Sequence, residues 1–223
     1  EILIGLVGSE MCIRDRLVSV AMCGAAFAGC GNNADSSKAE SKAEFSSSQV
    51  EKMPETDEEW TQAMYDKAMV SYGNTSMMQN VIKKAQSGEK VTVAYLGGSI
   101  TEGISAGADG CYAKLTYDYF AQKFGTGDNV QYVNAGLSGT PSKLGILRLD
   151  RDVLAYEPDI CFIEFAVNDG TETDYQNAYE SIVRTLLQKN ITPVLLFSVT
   201  ENDHSAQDYM KQIGELSLIH ISE

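Results

Sequence analysis

The sequence predicts an α/β fold of three layers, in which a parallel β-sheet is covered by helices on both faces. Two observations carry that reading. Short runs of β-branched and apolar residues alternate along the chain with longer stretches whose apolar residues recur every three or four positions. Strands that alternate with helices imply right-handed crossovers and a sheet buried on both sides. The chain also has the material for one sizeable core, with 223 residues of which 43% are hydrophobic.

The first elements are not part of that core. Leu17 to Gly29 is a mostly apolar run, too short to span a bilayer, preceded by Arg14 and Arg16 and ending in Phe27-Ala28-Gly29-Cys30. Small residues before a cysteine resemble the lipobox of bacterial lipoproteins, which implies cleavage before Cys30 and lipidation of its side chain. A plain signal peptide with an incidental cysteine is the alternative. Residues 1–30 are therefore read as a signal segment, and residues 31–56, rich in Asn, Ser, Lys, Ala and Glu with almost no large apolar side chain, as a disordered tether. Residues 57–90 read as a helical extension: Trp60, Met64, Tyr65, Ala68 and Tyr72 recur at helical spacing, and Ser76 to Ala85 forms a second helix stopped by Gly88.

The α/β pattern occupies residues 91–215. Val91 to Leu96 is a short apolar strand that breaks on Gly97 and Gly98 before Ser99. Such a turn lets another group approach the main chain closely and presents a serine that can act as a nucleophile. The same residues, Ser99-Ile-Thr-Glu102, also read as a capping box, with the serine oxygen accepting from a helix amide and Glu102 reaching back to the first turn. A helix marked by Tyr112, Leu115, Tyr119 and Phe120 ends near Gly125, Val130–Val133 is a strand, and Leu144–Tyr156 is a helix. Asp159–Val167 reads as a long apolar strand; Tyr175, Ala178, Ile182, Val183, Leu186 and Leu187 make one helical face; Ile191–Ser198 is a strand and Ala206–Leu216 a helix.

Composition narrows the partners. Seventeen Lys and Arg against 31 Asp and Glu give a formal charge of −14, which disfavours nucleic acid and anionic membrane surfaces and leaves neutral substrates. Of five cysteines, Cys12, Cys23 and Cys30 lie in the first segment; Cys111 and Cys161 remain, the latter a core filler within a strand. No Cys-x-x-Cys spacing occurs, so neither a metal site nor a cofactor is expected.

In open parallel sheets ligands bind beyond the carboxyl ends of the strands. Three groups arrive at that edge: Ser99 after the first sheet strand, Gly139 after the second and Asn168 after the third. Each has a plain structural alternative, since Gly139 serves a turn and Asn168-Asp169-Gly170 is a turn tripeptide.

The strings Gly97-Gly-Ser-Ile-Thr101, Asn134-Ala-Gly-Leu-Ser-Gly-Thr-Pro-Ser142 and Glu164-Phe-Ala-Val-Asn-Asp169 resemble, in order, the first three sequence blocks of the SGNH, or GDSL-type, hydrolases. The resemblance covers roughly Val91 to Thr200. It implies a flavodoxin-like SGNH hydrolase fold, Ser99 as the acyl-forming nucleophile, and an oxyanion hole made by the Ser99 and Gly139 amides and the Asn168 side chain. The family's Gly-Asp-Ser is Gly97-Gly98-Ser99 here, so one carboxylate is missing.

The family's late Asp-x-x-His block, which supplies the general base, has no clear match. His220 has Ser217 three positions before it; His204, in Glu201-Asn-Asp-His204, mimics the spacing but follows the fourth strand, and reads as a solvated loop residue. The chain starts at Glu1, and Leu6–Arg16 and Leu216–Glu223 look like translated sequencing-adapter strings. Residues 1–16 and 216–223 are accordingly expected to be artefacts, the hydrolase domain to be C-terminally truncated, and this chain to turn over little ester. An alternative is that Leu216–Ser222 is a genuine last strand.

The reading as a whole is a serine esterase, acting outside the cell from a lipid anchor on O-acetyl groups of carbohydrate. A lysophospholipase or thioesterase, or a non-catalytic glycan-binding lipoprotein of the same fold, are the alternatives. Acyl length, the sugar and oligomeric state are left open.

Overall fold

A computed structural model of the chain describes residues 3–7, 62–200 and 204–219. Cys30, the tether of residues 31–56, Trp60 and His220 lie outside the described residues. In chain order the elements are β1 (Leu3–Val7), α1 (Gln62–Ala68), β2 (Met69–Ser71), α2 (Ser76–Gln86), β3 (Val91–Gly97), α3 (Ser99–Glu102), α4 (Tyr112–Phe124), β4 (Val130–Gly136), α5 (Ser142–Asp152), β5 (Ile160–Glu164), α6 (Thr173–Gln188), β6 (Thr192–Val199) and α7 (Gln207–Ile219).

The strands form one sheet in the order β2-β1-β6-β5-β3-β4. β4, β3, β5, β6 and β1 are mutually parallel, as the alternation with helices predicts, and β2 pairs antiparallel with β1 at the edge. After β3 the chain steps outward to β4 and then returns to the other side of β3 with β5. The reversal of direction opens a crevice at the carboxyl end of β3, where parallel sheets bind their ligands.

Alternation along the strands divides the core in two. On one face Ala94, Leu96, Cys161, Ile163, Leu195 and Phe197 pack against residues of α5, α6 and α7. On the other Val93, Tyr95, Ile160, Phe162, Val194 and Leu196 pack against α2 and α4. Tyr95 stacks on Phe162 with ring centroids 4.7 Å apart, which ties the centre of that second face together. Cys161 is the buried core residue its place in an apolar run predicts.

The amino ends of the strands are pinned by Asp159. Its carboxylate accepts from the Thr92 amide at 2.9 Å and from Lys84 Nζ at 2.5 Å. Its own amide donates to Thr92 O and its carbonyl accepts from the Thr192 amide, both at 2.9 Å. One residue thus sets the register of β3, β5 and β6 and docks α2 on the sheet.

Several element boundaries differ from the sequence expectation. The helical spacing of Trp60 to Tyr72 is interrupted, because the chain leaves α1 at Ala68, runs through β2, and leaves Tyr72 exposed. The helix expected over Leu144–Tyr156 begins at Ser142 and ends at Asp152, followed by a single 3-10 turn and Glu157 at φ 49°. The strand expected to reach Val167 ends at Glu164, since the amides of Asn168 and Asp169 both fold back to donate to Phe165 O. Leu216 to Ile219 continue helix α7 rather than forming a strand, and Leu3–Val7, within the segment expected to be artefact, lies as β1 beside β6.

Candidate active site

The site is built at the carboxyl end of β3. Two consecutive glycines are required there because two side chains press on the main chain. A Cβ on Gly97 would run into Thr101 Oγ1 and the Glu164 carbonyl, and a Cβ on Gly98 into the Asn168 side-chain amide. Gly98 is the N-cap of the single-turn helix α3 and Ser99 its first residue; no side chain caps it. The capping-box reading therefore fails in both halves. Ser99 Oγ makes no hydrogen bond among the described residues, and the Glu102 carboxylate accepts instead from the Ser138 amide at 2.6 Å.

That contact places the second candidate. Gly139 sits at φ 69° on the exposed crest of the loop after β4. The loop is held to the Ser99 turn by the Leu137 amide, which donates to Gly97 O at 3.0 Å, and by the Ser138–Glu102 bond. The buried Thr140 closes it, donating through Oγ1 to Leu137 O at 2.7 Å. The Gly139 amide has no acceptor among the described residues, so it stands as a free donor on a fixed loop.

The third candidate comes from the turn after β5. The Asn168 side chain lies directly on Gly98, with Oδ1 buried and without a hydrogen-bond partner among the described residues. Asp169 fixes that turn from behind. Its carboxylate accepts from the Ser142 amide at 2.7 Å and from the Tyr209 hydroxyl at 2.9 Å, and burial pushes its pKa up. Ser99, the Gly139 loop and Asn168 are therefore brought to one edge. His204 is exposed on the loop after β6, which closes on Thr200, and among the described residues no hydrogen bond joins it to Ser99.

Three further residues hold the site through contacts that the sequence reading did not assign. Glu102 carries the tether to Ser138 just described. Arg148, on α5, donates from Nη1 to Ala135 O at 2.6 Å and from Nη2 to Gly97 O at 3.0 Å. Glu164 is fully buried at the end of β5, where Ser198 Oγ donates to Oε1, Thr101 Oγ1 approaches Oε2 at 3.4 Å, and the Gly98 amide favours the ionised form. Desolvation nevertheless outweighs these donors and pushes its pKa up to about 7. A signal for both existed: Glu164 interrupts the apolar run from Ile160 to Ala166, and Arg148, beside Gly145 and Leu149, has a carboxylate one turn on at Asp152.

Chemically, the edge offers a hydroxyl on a tight turn, a backbone amide at Gly139 without an acceptor among the described residues, and the neutral side-chain amide of Asn168. Acyl transfer needs that arrangement around a tetrahedral oxyanion. The sequence profile described as the GDSL-like lipase/acylhydrolase family matches residues 95–217. Among solved structures, the chain is 34% identical to a two-domain esterase active on acetylated mannans, co-crystallised with mannopentaose. The TM-score is 0.59, over 64% of this chain and 40% of that one. A second crystal structure of a two-domain esterase active on acetylated mannans gives 34% identity and a TM-score of 0.60 over 65% and 40% of the two chains. A psychrotrophic esterase from Pseudoalteromonas sp. is 22% identical with a TM-score of 0.48, over 58% and 74%. The chain thus spans 40% of the length of the mannan esterase. No curated protein matches it.

Proposed function

The chain belongs to the GDSL-like lipase/acylhydrolase family, and from that premise we propose that its domain is a serine esterase that removes O-acyl groups, O-acetyl groups of carbohydrate first, through an acyl-enzyme on Ser99. The observation that carries the reading is the packing of the Asn168 amide on Gly98 beside a free Gly139 amide, around a serine whose hydroxyl bonds nothing else among the described residues.

In this mechanism Ser99 Oγ attacks the ester carbonyl carbon, and the carbonyl oxygen becomes an oxyanion facing the amides of Ser99 and Gly139 and Asn168 Nδ2. Each such donor is typically worth about 3 kcal/mol in the transition state. Collapse of the intermediate breaks the bond to the sugar oxygen, which leaves as an alcohol. Water then attacks the acyl carbon, releases the carboxylic acid and restores the serine. The 34% identity to an esterase active on acetylated mannans supports a carbohydrate ester as substrate. The lipobox resemblance ending at Cys30 supports a domain held outside the cell by a lipid anchor.

The serine needs a base to take its proton, and among the described residues no hydrogen bond joins His204 to it. Slow turnover by this chain follows, because the oxyanion hole alone leaves only a small part of the rate. The lack of a base bonded to Ser99 among the described residues favours one second reading, a glycan-binding protein that keeps the fold without the chemistry.

Acetate release from acetylated mannan and hydrolysis of 4-nitrophenyl acetate, measured for the chain and for Ser99→Ala and His204→Ala, test both. Turnover lost in Ser99→Ala and kept in His204→Ala supports the esterase with a base other than His204, and loss in both makes His204 that base. No turnover, with mannan-oligosaccharide binding that survives Ser99→Ala, sinks the esterase reading in favour of the binding protein. Cleavage of long-chain but not acetyl esters would move the substrate class to lysophospholipid or thioester.

A further inference from the structure

We propose that Arg148 is a positioning residue for this site, whose buried guanidinium fixes the separation between the strand end that carries Ser99 and the loop that carries Gly139. The proposal rests on the assignment of Ser99 and Gly139 as nucleophile and oxyanion donor.

β3 and β4 pair in register as far as Gly97 and Gly136, and there they part. β3 turns into α3 with Ser99; β4 runs into the loop of residues 137–141. At that fork Arg148, only 8% exposed, reaches both chains, Nη2 bonding Gly97 O at 3.0 Å and Nη1 bonding Ala135 O at 2.6 Å. Gly97 O is shared, since the Leu137 amide donates to it at 3.0 Å as well. The nucleophile turn, the oxyanion loop and the guanidinium therefore meet at one carbonyl.

The chemistry of the side chain fits that task better than it fits stability. A guanidinium is a rigid planar fork that holds two acceptors at a set distance, whereas a lysine offers one point charge. Burying it is costly, and Nε has no partner among the described residues. An apolar side chain on this face of α5 would avoid both costs. Asp152 balances the charge, accepting from Nη1 at 3.2 Å, and its carboxyl pKa is held low by Arg151 first and by Arg148 as well. What the arginine adds, and an apolar residue cannot, is the spacing of Gly97 from Ala135.

Amide hydrogen exchange on the full chain separates positioning from bulk stability. In Arg148→Lys and Arg148→Met, exchange at Leu137 and Ser138 is expected to accelerate at least tenfold more than at Ile163 and Val194, which lie in the buried strands. An equal change at all four amides, or none, overturns the proposal. If Arg148→Met does not fold, Arg148→Lys decides. The parent protein gives an independent reading: its Arg148 Nη protons should appear as separate, slowly exchanging resonances, and a single averaged signal overturns the clamp. The esterase assignment fails on a different measurement. A phosphonofluoridate that modifies Ser99 no faster than other serines overturns that assignment, whatever Leu137 does. Where Ser99 is selectively modified, Arg148→Lys should slow the modification tenfold or more, and an unchanged rate counts against positioning.

Discussion

Replacing Glu164 by Gln should make the protein more stable at neutral and alkaline pH and leave it unchanged in acid. The carboxylate is fully buried, and its pKa moves from the ordinary 4.5 to about 7, chiefly because burial removes water from the charge. Ser198, Thr101 and the Gly98 amide recover only part of that loss. A folded pKa above the unfolded one means that between about 4.5 and 7 the folded protein holds a proton the unfolded chain has given up. Stability contributed by the protonated form is complete below 4.5 and falls as pH rises to about 7, by about 3 kcal/mol at 1.36 kcal/mol per pH unit, and then stays level. Glutamine keeps an oxygen for Ser198 and an amide for Thr101 but carries no charge at any pH. Urea unfolding of parent and Glu164→Gln from about pH 4.5 to 8 should therefore give midpoints that coincide in acid and diverge by about 1 to 2 M in alkali, for a typical dependence on urea. Asp169, whose pKa is also raised, titrates in both proteins, and because its charge helps raise the Glu164 pKa the difference reports Glu164 together with that coupling. A midpoint difference that is constant with pH, or that shrinks as pH rises, would refute the reasoning, since it would mean that the ionised carboxylate is the stabilised form.

Four further outcomes follow from the geometry. Gly98→Ala should drive a methyl into the Asn168 amide, costing about 1 to 3 kcal/mol in thermal unfolding and abolishing selective modification of Ser99 by a phosphonofluoridate. Asn168→Ala, in an active form of the enzyme, should lower kcat on 4-nitrophenyl acetate by about 100-fold with little change in KM, as expected for a donor used mainly in the transition state. Glu102→Gln should weaken the bond to the Ser138 amide by about 1 kcal/mol, visible as faster exchange of that amide with no change in the strands. Tyr209→Phe leaves one Asp169 oxygen without its donor and should cost about 1 to 3 kcal/mol in thermal unfolding.

The strands and long helices were legible because their signals are repetitive: β3, β5 and β6 are short runs dominated by apolar residues, and α6 keeps one apolar stripe over four turns. Boundaries were less so. Phe165 and Ala166 are as apolar and as buried as the strand before them, yet the chain there is already turning, since composition reports burial and not backbone direction. The placement of Ser99, Gly139 and Asn168 at one edge could be inferred because each follows a strand end. Their supports could not. Glu102 matched a local capping pattern, and the contact that prevails is with an amide 36 residues away. Arg148 and Glu164 were visible as charges among apolar residues, but apart from Asp152 beside Arg148 their partners are backbone groups and hydroxyls, which carry no distinctive signal in the sequence.

Asp159 has a consequence for how the sequence can change over time. It secures β3, β5 and β6 at their amino ends, while Ser99, Gly139 and Asn168 gather at the carboxyl ends, a strand of seven residues or about 20 Å away along β3. Substitutions at sites so far apart, with no shared partner, combine additively to within a few tenths of a kcal/mol. The lineage can therefore adjust thermal tolerance around Lys84, Thr92 and Asp159 and substrate choice around the loops after β3, β4 and β5 as two separate inheritances, neither constraining the pace of the other.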